Sequence, residues 1–252
     1  MNKKEINRTD VPILVDGNLD KPVWRNALKT QRFGHIDGSE LGYFDTRASF
    51  LWDDDALYAG FWAEDHDIHC THNERSALVW PENTVELYIA GPGAYYTLAV
   101  APNGNRSEMF FIWKDSYKHG GRYDIPEFDL ADKKPMVFGG DSGPHHPRGM
   151  RWGFFDWTFP NLQIAIDIDG TLDVRNDIDR SWKVEMALPW DGISRLFDGL
   201  MSPIPGTSLS LACARCQMIQ HRGQAFPCIW TPEPLPNGDL HDPTNYFSWK
   251  LT

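Results

Sequence analysis

No stretch of the chain runs apolar for the roughly 20 residues that a membrane-spanning helix needs. Basic residues are in the minority: 24 Lys and Arg against 35 Asp and Glu leave a formal net charge of -11. That balance excludes the basic footprint nucleic acid requires, and it argues equally against anionic membrane surfaces. The N-terminus, MNKKEINRTDVPILVDG, lacks an apolar core segment and so is no secretory signal as written. The expected location is the cytoplasm, or outside the cell if a signal has been removed. Cysteine is scarce, with only Cys70, Cys213, Cys216 and Cys228. Cys213 and Cys216 lie three apart in an expected strand, point to opposite faces and should not pair. Free thiols in a reducing compartment follow. CARC has no second pair to complete a zinc or redox site. Long helical periodicity is also missing, and 21 glycines with 18 prolines imply many turns.

Hydrophobic residues make up 41 % of the chain and charged residues 23 %, which suits a globular rather than a disordered protein. The length fits one domain over residues 1–252 with a sizeable core. Aromatics are abundant, with 11 Trp. The most informative stretch is WPENTVELYI, Trp80–Ile89. Val85, Leu87 and Ile89 alternate with Glu86 and Tyr88, so the strand has one apolar face and one carrying a carboxylate and a phenol. An indole beside a fixed carboxylate suits a sugar, whose C–H face stacks while its hydroxyls find acceptors. A half-buried strand with ordinary polar residues outside has the same pattern.

Residues 1–10 read as a loose arm, and VPILVDG as a short strand with a turn at Asp16-Gly17. Asp20 and Pro22 start a short helix whose buried side is Trp24, Ala27 and Leu28. RASFLW and ALYAGFWAED form a hairpin. In its second strand Leu57, Ala59, Phe61 and Ala63 oppose Tyr58, Gly60 and Trp62, so both faces are covered. AYYTLAVAP and SEMFFIW are further strands, the latter with Met109, Phe111 and Trp113 on one side. Residues 114–160 break the rhythm and read as a long loop excursion, either decorated for function or plugging a sheet edge with aromatics. LQIAIDID and SWKVEMALPW alternate again, with Trp182, Val184, Met186 and Leu188 inward and Lys183 and Glu185 outward. Pro189 opens a second short helix. In SLSLACARCQM the apolar face of Leu209, Leu211 and Cys213 continues into Arg215, which must emerge at the sheet end or pair with a carboxylate. YFSWKL closes the chain. Nine to eleven short strands and two short helices define an all-β fold, an antiparallel β-sandwich of jelly-roll or immunoglobulin-like type.

The stretch DHDIHCTHNERS, residues 65–76, holds His66, His69 and His72 with Asp65, Asp67 and Cys70. It has no HExxH pattern and reads as a polar loop rather than a transition-metal site. Its oxygens suit a structural calcium ion.

VDGNLDKPVW, FLWDDDALYAGFW, WPENTVELYI, YYTLAVAPNGN, GTLDVRNDIDRSWKVEMALPW, LACARC and LHDPTNYFSWKL, in this order and spacing, resemble the carbohydrate-binding module family nine-like proteins, a cellulose- and xylan-binding, DOMON-related group. The resemblance covers most of residues 13–251 and is weakest at 114–160. It implies an antiparallel sandwich with one concave sheet that binds an oligo- or polysaccharide, and in some members structural calcium. By resemblance Trp80 is the stacking indole and Glu86 the carboxylate that accepts sugar hydroxyls. A second tryptophan is expected where Leu240 stands, and an arginine–asparagine pair where Ala99 and Ala101 stand. Arg215, His241 and Trp113 are the candidate substitutes.

The expected function is therefore non-catalytic carbohydrate binding through an aromatic-plus-carboxylate concave site of Trp80, Glu86, Arg215, Trp113 and His241, with no cofactor required. An enzyme acting on a glycoside or sugar derivative is the alternative. It needs two carboxylates about 5–10 Å apart, for which Glu86 and Asp242 are the pair on offer. A b-type haem domain is a third reading, because related sandwiches host haem; Met109, Met136 and Met150 with His145 or His146 are available, and the lack of CxxCH excludes covalent haem. Fold alone does not choose among these.

Overall fold

Two-residue alternation decides what each strand of this protein buries. A computed structural model describes residues 4–70, 82–139, 146–198, 203–222 and 224–252. The strands are β1 (Glu5–Arg8), β2 (Gly34–His35), β3 (Thr46–Trp52), β4 (Ala56–Glu64), β5 (Thr84–Ala90), β6 (Ala94–Val100) and β7 (Arg106–Trp113). They continue with β8 (Met136–Phe138), β9 (Arg151–Phe154), β10 (Gln163–Asp169), β11 (Ser181–Pro189), β12 (Ser208–His221), β13 (Gln224–Thr231) and β14 (Phe247–Leu251). Three short helices, α1 (Pro22–Arg25), α2 (Leu130–Lys133) and α3 (Trp190–Ser194), lie between them.

One sheet has the order β10-β11-β4-β3-β1 and the other β14-β12-β5-β6-β7-β9-β8, with β13 hydrogen-bonded to β12 and β2. All strand pairs are antiparallel except those of β1. That strand pairs in parallel with β14 through Glu5 and Ile6, then with β3 through Asn7 and Arg8. It stitches the sheets together at one edge, and the result is a β-sandwich. Residues 4–8 are thus no loose arm, because fully buried Ile6 anchors them in the core. VPILVDG is not a strand either: Val11 and Leu14 are exposed, and the Asp16 and Gly17 amides donate to the Glu185 carboxylate instead. Gly17 has φ +85, and a Cβ there would lie 2.9 Å from the Ile166 carbonyl carbon, so the turn requires glycine.

The inner faces meet in one cluster. Val85, Leu87, Ile89, Leu98, Phe110 and Leu211 come from one sheet; Phe50, Leu57, Phe61, Val184 and Met186 come from the other. Each fully buried side chain of this size contributes about 1.5–3 kcal/mol. As the alternation implies, Trp182, Val184, Met186 and Leu188 point inward. Glu185 points the other way, yet it is also fully buried, beneath α1, where it accepts hydrogen bonds from Trp24 Nε1 (2.7 Å) and Lys21 Nζ. Leu28, expected on the buried side of α1, is exposed because the helix ends at Arg25. The excursion at 114–160 carries α2, β8 and β9. Its Phe154, Trp157 and Phe159 plug the core against Phe110, Phe128 and Tyr96. All four cysteines are thiols outside any disulfide.

Arg215 marks the end of the inner face. It is fully buried and donates to Asp65 Oδ2 (3.0 Å), Thr46 Oγ1 (2.9 Å) and the Glu64 carbonyl (2.6 Å), beneath the rings of Phe44 and Trp230. Burial pulls the guanidinium down to about 10 despite Asp65, and burial pushes Asp65 up against the pull of Arg215. Desolvation therefore outweighs attraction at both ends, as is common for buried ion pairs. Asp65→Asn strands the guanidinium and is expected to cost about 3–5 kcal/mol in urea denaturation. The double variant Asp65→Leu/Arg215→Met should recover most of that loss; a double variant no better than Asp65→Asn would contradict this account.

Candidate functional site

β5 lies at the centre of its sheet, between β12 and β6. Val85, Leu87 and Ile89 occupy the core, so Thr84, Glu86, Tyr88 and Ala90 must face outward. Register adds Ala212, Ala214 and Cys216 from β12, Tyr95, Thr97 and Ala99 from β6, and Ser107, Met109, Phe111 and Trp113 from β7. Arg151 and Gly153 of β9 pair with Trp113 and Phe111 and complete this outer face.

The outer face has two ends. Around Glu86 it is open: Ala99, Met109, Cys216, Met218 and Ile229 are all partly exposed. Glu86 stands directly between Ala214 and Ala99, so only methyl groups flank it on the neighbouring strands. The carboxylate is itself 4 % exposed, accepting Thr84 Oγ1 on Oε1 (3.1 Å) and the Tyr88 hydroxyl on Oε2. Burial, followed by the charge of Glu86, pushes the Tyr88 phenol well above its ordinary value, so it stays a donor. Two hydroxyls and the Cys216 thiol, rather than a cation, hold this carboxylate, which has acceptor capacity left for a further donor. Thr97, whose register partner on β5 is Tyr88, has a buried hydroxyl without a hydrogen-bond partner among the described residues.

The other end is roofed by the segment Leu235–Tyr246. Leu235, Leu240 and Tyr246 pack with Tyr88, Ala90, Tyr95, Phe111, Trp113, Ala212 and Ala214 in a second apolar cluster. Leu240 is thus a roof residue where the family resemblance expects an indole. His241 meets the edges of Tyr88, Tyr95 and Phe111 at 5.4–6.0 Å, and its Nδ1 lies 3.3 Å from the Tyr95 hydroxyl. Burial, helped by the charge of Arg151, brings His241 down to about 4, so the ring is neutral near pH 7. Trp113 is covered: His146 stacks on it at 4.5 Å, and the guanidiniums of Arg148 and Arg151 lie over it.

The structure therefore gathers Glu86, Trp113 and His241 on one face. Arg215 is a correction. Its odd-numbered register places it in the sandwich interior, bound to Asp65 and out of reach of the outer face. Trp80 lies outside the described residues. Sequence reading missed Arg151, because β9 is short and hidden in an aromatic excursion; its only signal is the alternation of Arg151 and Gly153 with Trp152 and Phe154. Arg151 is 5 % exposed, and its Nε and Nη1 have no hydrogen-bond partner among the described residues.

Other candidates are committed elsewhere. Asp242 accepts His146 Nε2 (2.9 Å), Thr244 N and Oγ1, and Asn237 Nδ2. Desolvation raises it, but these hydrogen bonds prevail and hold it at about 2, which no general acid could use near neutral pH. His146 accepts the Arg148 amide on Nδ1 (3.0 Å) and bonds Asp242 through Nε2, leaving neither nitrogen for iron. His145 lies outside the described residues, Met136 is exposed on β8, and Met109 is partly exposed on the outer face. In the loop after β4, Asp65 serves Arg215 and Asp67 pairs with Arg175. From the loop between β10 and β11, Asp173 takes the Cys70 amide and Asp179 the Ile68 and Thr171 amides. A Cβ on Gly170 would sit 2.2 Å from Asp179 Oδ1, so the β10–β11 loop closes on itself. Residues 71–76 of the stretch expected to suit calcium, His72 included, lie outside the described residues, among which no group of His, Cys, Asp and Glu is arranged for a metal ion. A cleft of about 270 Å³ beside Trp157 includes Glu108. That carboxylate already accepts Arg106 Nε (2.7 Å), the Tyr96 hydroxyl (3.0 Å) and the Phe159 amide (2.8 Å).

This β-sandwich has a fold like that of carbohydrate-binding modules of family 9. No protein-family model matches the chain, and no curated protein matches its sequence. Among solved structures, a presumed carbohydrate-binding protein from Bacteroides uniformis superposes with a TM-score of 0.63 at 9 % identity, over 98 % of each chain. A family 9 module from Caldicellulosiruptor kristjanssonii in complex with glucose gives 0.56 at 14 % identity, over 99 % of this chain and 96 % of that one. A family 9 module of the same organism with cellotriose gives 0.57 at 13 %, over 99 % and 94 %.

The His241 environment has a measurable consequence. Its proton affinity is ordinary (6.5) in the unfolded chain and falls to about 4 on folding. Between those values the unfolded state binds a proton that the folded state refuses, so stability declines as pH falls through this window. His241→Gln should flatten that part of a thermal-midpoint-versus-pH curve. An unchanged slope from pH 6.5 to 4 would show that His241 is not held neutral.

Proposed function

We propose that the outer face binds a saccharide without transforming it, and that Glu86 is the acceptor for its hydroxyls. The observation that carries this reading is the setting of Glu86: a buried carboxylate on the outer face, held by hydroxyls and a thiol rather than a cation, and flanked by two alanines. Sugar hydroxyls are donors of the kind such a carboxylate takes. Met109 and the methyl groups of Ala99 and Ala214 supply apolar floor for a sugar's C–H face. That two structures of the same fold hold glucose and cellotriose supports the ligand class. Trp80, eight residues along the chain from Tyr88, is the stacking partner in this reading. The partner is an oligo- or polysaccharide.

Binding without hydrolysis fits the carboxylates better than catalysis does. The alternative pair fails at Asp242, which has no proton to give and whose oxygens are already taken by His146, Thr244 and Asn237.

A single stacking platform contributes about 1–3 kcal/mol, so affinity should fall between millimolar and high micromolar Kd. Tryptophan fluorescence titrated with glucose and cello-oligosaccharides should saturate in that range. Trp80→Ala should abolish the response, and Glu86→Gln should weaken binding by tenfold or more, about 1.4 kcal/mol. Unaltered affinity in both variants would overturn the assignment of this face.

A further inference from the structure

Arg151 presents a charge that no carboxylate among the described residues meets at ion-pair distance. Its guanidinium is surrounded by the rings of Tyr95 (5.8 Å), Phe111 (5.7 Å), Trp113 (5.2 Å) and Phe138 (5.6 Å). Ring faces attract a cation, but they offset only part of the cost of removing it from water. A guanidinium cannot shed its proton near neutral pH. Each of the other deeply buried charges discussed here has partners: Arg215 has Asp65, and Glu185 has Lys21, Trp24 and two amides. Among the described residues no carboxylate lies within ion-pair distance of Arg151, and two of its nitrogens donate to nothing. Beside it, His241 is neutral and the Tyr95 phenol, pushed up by burial, keeps its proton. Arg151 thus meets neutral polar groups, the Tyr95 hydroxyl among them, while the carboxylates of Asp239 and Asp242 act on the same rings from beyond ion-pair distance.

Arg151 also belongs to the face assigned above. Its strand is three places from β5, roughly 14 Å across the sheet, and Arg151 pairs six residues further along β7 than the partner of Glu86, roughly 20 Å, so only an oligosaccharide can span both groups. Tyr95, Phe111 and Met109 of that face lie between, and the partnerless hydroxyl of Thr97 stands on the same β6 face. We propose that Arg151 receives a carboxylate carried by the bound saccharide, so that the outer face selects uronic acids, or oligosaccharides containing them, over neutral sugars. This inference rests on the saccharide reading of the outer face and adds the ligand's charge to it. A planar carboxylate matches both the guanidinium fork and the flat ring walls, whereas a neutral hydroxyl would leave the charge uncompensated.

Calorimetric titration of the whole chain tests this with four probes: glucuronate, its methyl ester, glucose and acetate. The expected result is that glucuronate binds at least tenfold more tightly than the ester or glucose, with acetate weaker than all saccharides that bind. Arg151→Met should bring glucuronate and its ester within twofold of each other while leaving the thermal midpoint equal or higher, since an uncompensated buried charge is gone. Arg151→Lys, which keeps charge but loses the fork, should retain only part of the preference. Equal binding of acid and ester by the unaltered protein, or a preference that survives Arg151→Met, overturns the proposal. So does acetate binding as well as glucuronate, which marks a general anion site. If Arg151→Met does not fold, the acid-against-ester comparison on the unaltered protein decides. Neutral sugars binding with no acid preference defeats this inference and leaves the face reading standing; no saccharide binding at all defeats both.

Discussion

The structure depends on the side-chain period of β5 at the middle of its sheet. Val85, Leu87 and Ile89 are fully buried between the sheets, and that burial holds the register against β12 and β6. A slip of one residue would drive Glu86 into the apolar core and turn three large aliphatic side chains outward. The same constraint that builds the core therefore aims the carboxylate. It also aims Thr97, Met109 and Arg151, because each is tied to β5 through an unbroken ladder of paired strands.

Buried charge is handled in three ways. Glu185 is wrapped by amides, an indole and a lysine, and it locks α1 onto β11. Arg215 and Asp65 neutralise each other at the end of the inner face and tie β12 to the end of β4. On the outer face Glu86 is met by two hydroxyls of its own strand and the Cys216 thiol, and Arg151 by rings and the Tyr95 hydroxyl. The first two arrangements are closed. The last two leave hydrogen-bonding capacity over, and both lie on the one face that faces away from the sandwich core.

Much of the fold was legible in the chain because alternation is a local signal. The strands over 46–64, 84–113, 163–189 and 208–218 and the inward sets such as Trp182, Val184, Met186 and Leu188 follow from period two alone. β1 was not legible: four residues with one apolar side chain look like a tail until β14 and β3 offer it an edge. β13 was hidden by Pro227, which an edge-facing position tolerates. The site was legible at Glu86, where strand and carboxylate coincide. It was not legible at Arg215, because reading a guanidinium on an apolar face requires knowing that Asp65 waits at the end of β4. Arg151 was lost for a different reason: its meaning comes from four rings contributed by three other strands and from the lack of a carboxylate at ion-pair distance among the described residues, neither of which is written locally.

The most direct test of the account is a map of backbone amide chemical shifts in the 15N-labelled protein as saccharide is added. The result expected is a set of perturbed amides concentrated in Thr84–Ala90, Ala94–Val100 and Arg106–Trp113, at outward-facing positions and their ladder partners. Perturbations gathered instead at the cleft beside Trp157, or along β10 and β11 of the opposite sheet, would contradict it.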